Sequence, residues 1–334
     1  MVITPARPTF PSLSIAIFVL LSATVWGRPV FYPAVSELRS SGVIFDSSAP
    51  ISYPAKIVQG PRGNLLVLDS ELSNVFVVNA AKRAVRALCE RRLPITPSDI
   101  ATNSLGDIWV LNSGQRRVAR VDDRCQIATA FTTRSFPIAL VVNSAGEIVV
   151  LTGKGDSLFE TYDSTGKLLR SFGQRLSYGS DIADQELSGG HLISDGSGGV
   201  YFSFNYPPAV RHYARDGRLL TEFKPESDIA IMGTPQISSR KQGNQLSVIS
   251  RYQIMVLDLG LDARGRLLML LSGENKFEAL THGSRSLLLT NRMGKTLANF
   301  DLADGPFNRL TTAGGLVYML KNHSPIRLDK VVLP

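Results

Sequence analysis

Between Pro97 and Phe131 the chain alternates short apolar runs with turn-forming clusters. The runs are Ile100-Ala101, Ile108-Leu111, Val118-Val121 and Ile127-Phe131, and the clusters between them are Asn103-Gly106, Asn112-Gln115 and Asp122-Arg124. Runs of that length bounded by Asn, Asp, Ser and Gly predict four short antiparallel strands. One such meander cannot bury its own face, so it predicts neighbours of the same kind.

The neighbours are legible as a repeat. Gly63, Gly106, Gly146, Gly198, Gly265 and Gly314 each precede an apolar run: Leu65-Leu68, Ile108-Leu111, Ile148-Leu151, Val200-Phe202, Leu267-Leu270 and Leu316-Leu320. Asn103, Asn143, Asp195 and Asp262 stand three residues before four of these glycines, a spacing that makes a tight turn between two strands. The glycines are 43, 40, 52, 67 and 49 residues apart, which predicts a unit of roughly 40 residues with insertions. A second landmark closes several units. Asp163-Gly166, Asp216-Gly217 and Asn291-Gly294 turn into Lys167-Phe172, Arg218-Phe223 and Lys295-Phe300, as a third-to-fourth strand hairpin with a left-handed Gly would.

The ends of the repeat fix its closure. After Leu316-Leu320 the last unit has one more strand, Ile326 to Val331, and lacks a fourth; Val43-Ile44-Phe45, after the turn at Ser40-Gly42, is the missing one. A ring closed by that strand hides the sheet edges that an open solenoid or a β-sandwich would leave. The expected fold is therefore all-β: a six-bladed β-propeller of four-stranded antiparallel blades, its last blade completed by the N-terminal strand. Two stretches interrupt the repeat, Gln174 to Ser188 and Lys224 to Ser250, and both read either as binding loops on one face or as neutral insertions. Trp109, Tyr201 and Tyr318 fall in second strands and read as core.

The form P-x-D-I-A-x-N-x-x-G-D-I-W-V-x-N at Pro97–Asn112, followed by a strand and by D-x-x-G as at Asp163–Gly166, resembles the NHL repeat of exported bacterial type. After Asp122 the glycine position is taken by Cys125. The resemblance covers nearly all of the chain beyond its N-terminal segment. It implies a six-bladed propeller but leaves function open, since such propellers serve as interaction modules and as enzymes such as the amidating lyase. Related six-bladed propellers include streptogramin lyase and gluconolactonase-like hydrolases.

In a propeller the first strand of each blade lines the axis. Counting seven residues back from each anchor glycine places Lys56, Asp99, Ala139, His191, Asp258 and, in the last blade, Phe307 or Asn308 in one ring. Lys56, Asp99, His191 and Asp258 are thus the candidate ligand-binding residues. Asp99, His191 and Asp258 could ligate a divalent cation, as the resemblance to metal enzymes of this fold implies, or could simply solvate the channel. His212, His282 and His323 fall in outer strands or turns.

Composition adds a destination. Residues 1–27 carry Arg7, an apolar run from Ser14 to Trp26 and small residues about Gly27, which predicts a signal peptide; an uncleaved anchor is the alternative. Residues 28–37 are then a linker into a single propeller domain that extends to residue 334. The expected location is periplasmic, cell-surface or secreted, with no membrane span in the mature chain. A net charge of +8 is spread over turns as pairs such as Arg91-Arg92 and Arg116-Arg117, a solvated surface and not a nucleic-acid face. No phosphate-binding loop, Gly-x-Ser-x-Gly elbow or His-Glu-x-x-His pair occurs.

Cys89 and Cys125 are the only cysteines, and an even count in an exported chain favours a disulfide. The repeat register opposes it, placing them near opposite faces of adjacent blades. Both outcomes stand open. The expected function is a monomeric binding scaffold for a protein or other envelope component, without a cofactor. The alternative is a metal-dependent lyase or lactone hydrolase acting at the channel mouth.

Overall fold

The computed structural model describes residues 35–122, 124–177, 184, 187–205, 209–225, 236–242, 245–251, 255–272, 286–322 and 325–334, with backbone alone over 236–251. The expected signal segment, His282 and His323 lie outside them, as does much of the two interrupting stretches.

Two short strands come first among the described residues, β1 (Val35–Leu38) and β2 (Gly42–Phe45). Blade one follows as β3 (Pro54–Gln59), β4 (Leu65–Asp69), β5 (Asn74–Asn79) and β6 (Ala84–Ala87). Blade two is β7 (Asp99–Thr102), β8 (Ile108–Asn112), β9 (Arg117–Val121) and β10 (Ile127–Thr132). Blade three is β11 (Pro137–Val142), β12 (Ile148–Thr152), β13 (Ser157–Tyr162) and β14 (Leu168–Gln174). Blade four is β15 (Gly190–Ser194), β16 (Val200–Phe204), β17 (Val210–Tyr213) and β18 (Leu219–Phe223). An antiparallel hairpin, β19 (Gln236–Gln242) and β20 (Gln245–Arg251), occupies part of the second interrupting stretch. Blade five is β21 (Met255–Leu261), β22 (Leu267–Ser272), β23 (Ser286–Thr290) and β24 (Thr296–Leu302). Blade six is β25 (Arg309–Ala313), β26 (Leu316–Lys321) and β27 (Arg327–Val331), with β2 as its fourth strand. Among the described residues no helix is long and apolar enough to cross a membrane.

The second strands read as unbroken apolar runs because each blade is covered on both faces. Successive side chains point to opposite faces of a strand. In β4, Leu65 and Val67 therefore pack towards blade six, while Leu66 and Leu68 pack towards blade two. Trp109 and Leu111 of β8 meet Leu140 and Ile148 of blade three in the same way. Apolar cores fill the spaces between neighbouring blades all the way round, the last of them between blades five and six.

The ring closes as the sequence predicts: Gly42 and Val43 of β2 pair with Lys330 and Asp329 of β27. The linker expected over residues 28–37 holds one element more. Its strand β1 pairs parallel to β24, Glu37 opposite Asp301, and so adds a fifth strand to blade five while Leu38 fills the core beside it.

The disulfide is present: Cys89 and Cys125 are bonded, with Cα atoms 5.7 Å apart. The expected placement of the two cysteines near opposite faces is corrected by the twist of the blades. Strands in a sheet rotate about −20 to −25° each relative to the last, so the outer edge of one blade leans onto the third-to-fourth turn of the next. Gly166, Gly217 and Gly294 of such turns lie against Phe131, Phe172 and Phe223, each on the fourth strand of the preceding blade. Cys125 holds the same turn position in blade two with φ 61°, in the left-handed region where blades three, four and five place Gly. Cys89, just past β6, stands at the matching corner of blade one. A covalent bond there replaces the Gly-on-Phe contact.

Candidate functional site

The first strands place Lys56, Asp99, Ala139, His191 and Asp258 around the axis, and the ring is built as two copies of one device. Lys56 Nζ of blade one lies 3.2 Å from Asp99 Oδ1 of blade two, whose Oδ2 accepts the Leu140 amide of blade three at 2.9 Å. His191 Nδ1 of blade four lies 3.4 Å from Asp258 Oδ1 of blade five, whose Oδ2 accepts the Leu310 amide of blade six at 2.9 Å. In each half a cationic or imidazole side chain, an aspartate and a backbone amide join three consecutive blades. Both aspartates are buried, Asp99 at 4% and Asp258 at 5% exposure, and these partners satisfy oxygens that burial removes from water. Burial works to raise the carboxyl pKa of Asp258. His191, then Arg309 and Lys56, oppose it and leave the group below the ordinary carboxylate range.

The amide pattern corrects the sixth ring position. Leu140 follows Ala139, and its counterpart Leu310 follows Arg309, so Arg309 and neither Phe307 nor Asn308 completes the ring. Phe307 is instead core, 2% exposed between blades five and six, and the buried Asn308 accepts the Asn322 amide. The count slips because β25 and β26 are joined by Gly314-Gly315 alone, with φ 57° and 77°, while blade three uses five residues from Asn143 to Glu147. Gly-Gly between two apolar runs is itself a two-residue hairpin signal.

Asp99, His191 and Asp258 are not gathered on one point. Asp99 belongs to the first half-ring and the other two to the second. Nε2 of His191 sits 3.1 Å from the Val256 carbonyl, an acceptor, so that nitrogen carries hydrogen and has no lone pair for an ion. Among the described residues no group of three or more His, Cys, Asp or Glu side chains is placed to hold a metal. The donor set as folded does not fit a resident cation.

Below the ring the channel widens. An inner compartment of about 150 Å³ is bordered by Lys56, Asp258 and the apolar residues of the first strands. It shares Thr102, Ile193, Ser194, Leu259 and Thr311 with a mouth of about 540 Å³ formed where those strands end. Three residues separate Lys56 from Gln59 at the mouth, a depth of about 10 Å at 3.3 Å per residue. Arg62 is the one charged residue among the described residues of the mouth, whose other polar groups come from Gln59, Thr102, Asn103, Ser104, Ser194 and Thr311-Thr312. His212 stands apart in β17, bonded to Asp195 at 2.9 Å and stacked on Tyr201 with ring centroids 4.0 Å apart.

No family model and no curated protein matches the sequence. Solved structures do match. A gluconolactonase from Xanthomonas campestris superposes with TM-score 0.55 at 14% identity, over 87% of this chain and 89% of its own. The calcium-binding protein regucalcin from Agrobacterium tumefaciens gives 0.53 at 10%, over 89% and 97%. Virginiamycin B lyase from Staphylococcus aureus gives 0.53 at 11%, over 83% and 80%. The likeness is one of fold. This chain is a six-bladed β-propeller similar to these proteins, at identities that carry no activity with them.

Proposed function

We propose that this chain is an exported, NHL-like binding propeller that holds a protein or other envelope component at the mouth of its central channel. The observation that carries this reading is the state of the ring. Both oxygens of Asp99 and of Asp258 are engaged by the protein itself, and both nitrogens of His191 face acceptors. A lyase or lactone hydrolase using a metal there would have to dismantle the contacts that join the blades. The polar mouth, with Arg62 as its one charged residue among the described ones, suits recognition by hydrogen bonds. Export is supported by the Cys89–Cys125 disulfide, since such bonds persist in oxidising compartments.

The test compares capture from an envelope extract by the wild-type chain and by a chain with its mouth filled, Ser104→Trp together with Ser194→Tyr. A partner retained by the first and lost by the second supports the reading; equal capture by both removes the mouth as the site. Metal analysis of the purified protein addresses the enzyme reading, which gains if a stoichiometric divalent ion co-purifies and is lost in His191→Ala.

A further inference from the structure

First-to-second and third-to-fourth turns lie at the mouth end of an antiparallel blade. Second-to-third turns and the connections between blades therefore lie on the opposite face. The pairs Arg91-Arg92 and Arg116-Arg117, scattered along the sequence, come together there. Residues 88–98 connect blade one to blade two, residues 113–116 join β8 to β9, and residues 133–136 connect blade two to blade three. With Arg117 at the start of β9, these segments hold five arginines, Arg91, Arg92, Arg116, Arg117 and Arg134, against one acid, Glu90. Hydrogen bonds tie them into one rim. Asn74 of the blade-one turn donates to the Arg91 carbonyl at 3.1 Å, Ser98 Oγ meets Ser113 Oγ at 2.8 Å, and the Thr133 amide donates to the Arg116 carbonyl at 2.8 Å.

The rim differs from the mouth side in what its charges meet. Near the mouth Arg120 pairs with Asp107, Arg170 and Arg215 with Glu147, and Arg266 with Asp262. On the rim Arg91, Arg92, Arg116 and Arg134 are exposed, and none has an acidic partner among the described residues. Arg116 Nη1 donates to the Arg134 carbonyl at 3.4 Å. Two residues beyond Arg134, Phe136 is 42% exposed, its ring over Gly153, where an added Cβ would stand 3.1 Å away. Tyr53 and Leu72 are exposed on the same face at blade one. The flanking acids are Glu71, which accepts the Ser52 hydroxyl, and Asp156, beside Lys154 on the blade-three turn.

We propose that this rim docks the propeller on the surface of an anionic lipid bilayer, with its arginines against the phosphates and Phe136 among the headgroups. Separate arginines spread across two blades match an extended charged surface, and guanidinium groups make strong, often bidentate bonds to phosphate. An aromatic ring flanked by basic residues suits the boundary between headgroups and acyl chains. An acidic polymer would use the arginines alone and leave Phe136, Tyr53 and Leu72 in water. The docked propeller turns its mouth away from the membrane, and this holds whatever the mouth receives.

The experiment sediments the chain from residue 28, which contains every described strand, with vesicles of phosphatidylcholine alone and of phosphatidylcholine mixed with phosphatidylglycerol. Binding should require phosphatidylglycerol and fall steeply as salt is raised. Arg116→Gln with Arg134→Gln should weaken it about 25-fold, and Arg91→Gln with Arg92→Gln by a similar factor, about fivefold for each arginine. Either pair decides the matter if the other fails to fold, as circular dichroism and the melting temperature would reveal. Lys82→Gln with Lys167→Gln removes the same charge from exposed third-to-fourth turns on the mouth side. That pair should leave binding unchanged, because a five-residue strand of about 17 Å exceeds the ~8 Å over which salt screens a charge. Phe136→Ser should weaken binding several-fold. Equal sedimentation with the two kinds of vesicle, or none with either, overturns the proposal. So does an equal loss from charge removal on the two faces, which would make binding a property of net charge alone. Binding of Phe136→Ser equal to wild type, with polyglutamate captured as tightly as the vesicles, overturns the bilayer in favour of an acidic polymer.

Discussion

Asp99 and Asp258 make the same three-strand bridge three blades apart, each reaching from a basic or imidazole side chain on the preceding blade to a backbone amide on the following one. The centre of the propeller is thus tied by two related polar clamps, while the spaces between blades are filled by apolar side chains. Each clamp joins three strands that are distant in sequence, so it acts on the closed ring and not on any single blade.

Removing either carboxylate strands its partners. Asp99→Ala leaves the Leu140 amide and Lys56 without their acceptor; Asp258→Ala does the same to the amides of Leu259 and Leu310. Each should cost about 2–4 kcal/mol, and the Asn variants about half as much, because an amide oxygen still accepts one bond. Chemical denaturation measures this. A loss under about 0.5 kcal/mol for Asp99→Ala would mean that the clamp contributes nothing.

The disulfide spans 36 residues and links the corners of blades one and two. Loop-closure entropy for that length corresponds to about 3–4 kcal/mol. Cys89→Ser with Cys125→Ser should lower the melting temperature by several degrees and leave the far-ultraviolet circular dichroism unchanged. The same fall should follow from adding a reductant to the wild type, and a melting temperature indifferent to reductant would contradict the expectation.

Glycines of the two turn types should respond differently to alanine. At Gly217, φ is 89° and an added Cβ would stand 2.8 Å from Phe172 on the neighbouring blade. At Gly146, φ is 78° and an added Cβ meets nothing within 4 Å. Gly146→Ala should therefore cost about 1 kcal/mol, for the backbone alone. Gly217→Ala should cost about 2–4 kcal/mol, because displacement of Phe172 is added. Equal losses in equilibrium unfolding would deny the inter-blade contact.

Much of this was legible in the sequence because turns announce themselves chemically. The anchor glycines, the Asp-x-x-Gly hairpins and the orphan strand Val43-Phe45 gave blade number and closure directly. Ring membership was legible only where the first turn keeps its usual length, which is why Arg309 escaped a count that found Asp99 and Asp258. Pairing across blades was legible only in part: the cysteine count offered Cys89 with Cys125, against a register that set them apart. That Lys56 meets Asp99, or that Cys89 and Cys125 come within bonding distance, depends on blade twist and on which neighbour a side chain leans towards, and neither leaves a periodic mark. The strand Val35–Leu38 escaped because a four-residue parallel edge strand has no turn partner to announce it.

Glu147 gives the fold a pH dependence of defined sign. It lies just after the Gly146 turn of blade three, 7% exposed, and it bonds Arg170 of its own blade and Arg215 of blade four, the latter at 2.8 Å. Asn143 donates both to Glu147 and to the Gly198 carbonyl of blade four, so the cluster fastens these two blades. Burial alone would raise the carboxyl pKa; Arg170, Arg215 and Asn143 outweigh it and hold the group at about 2, against an ordinary value of 4.5. A folded-state value below the unfolded one means the stabilisation is complete above pH 4.5 and is lost as the pH falls from there through 2. Arg215 is 59% exposed, so water screens its share, and about 2 kcal/mol is the expected size of the effect. Glu147→Gln should be less stable than wild type by that amount between pH 5 and 8. The gap should then narrow steadily on acidification and close near pH 2, as followed by thermal melts in matched buffers. A gap that stays constant down to pH 2 would mean that Glu147 stabilises the blade junction by shape and hydrogen bonding alone, and not by its charge.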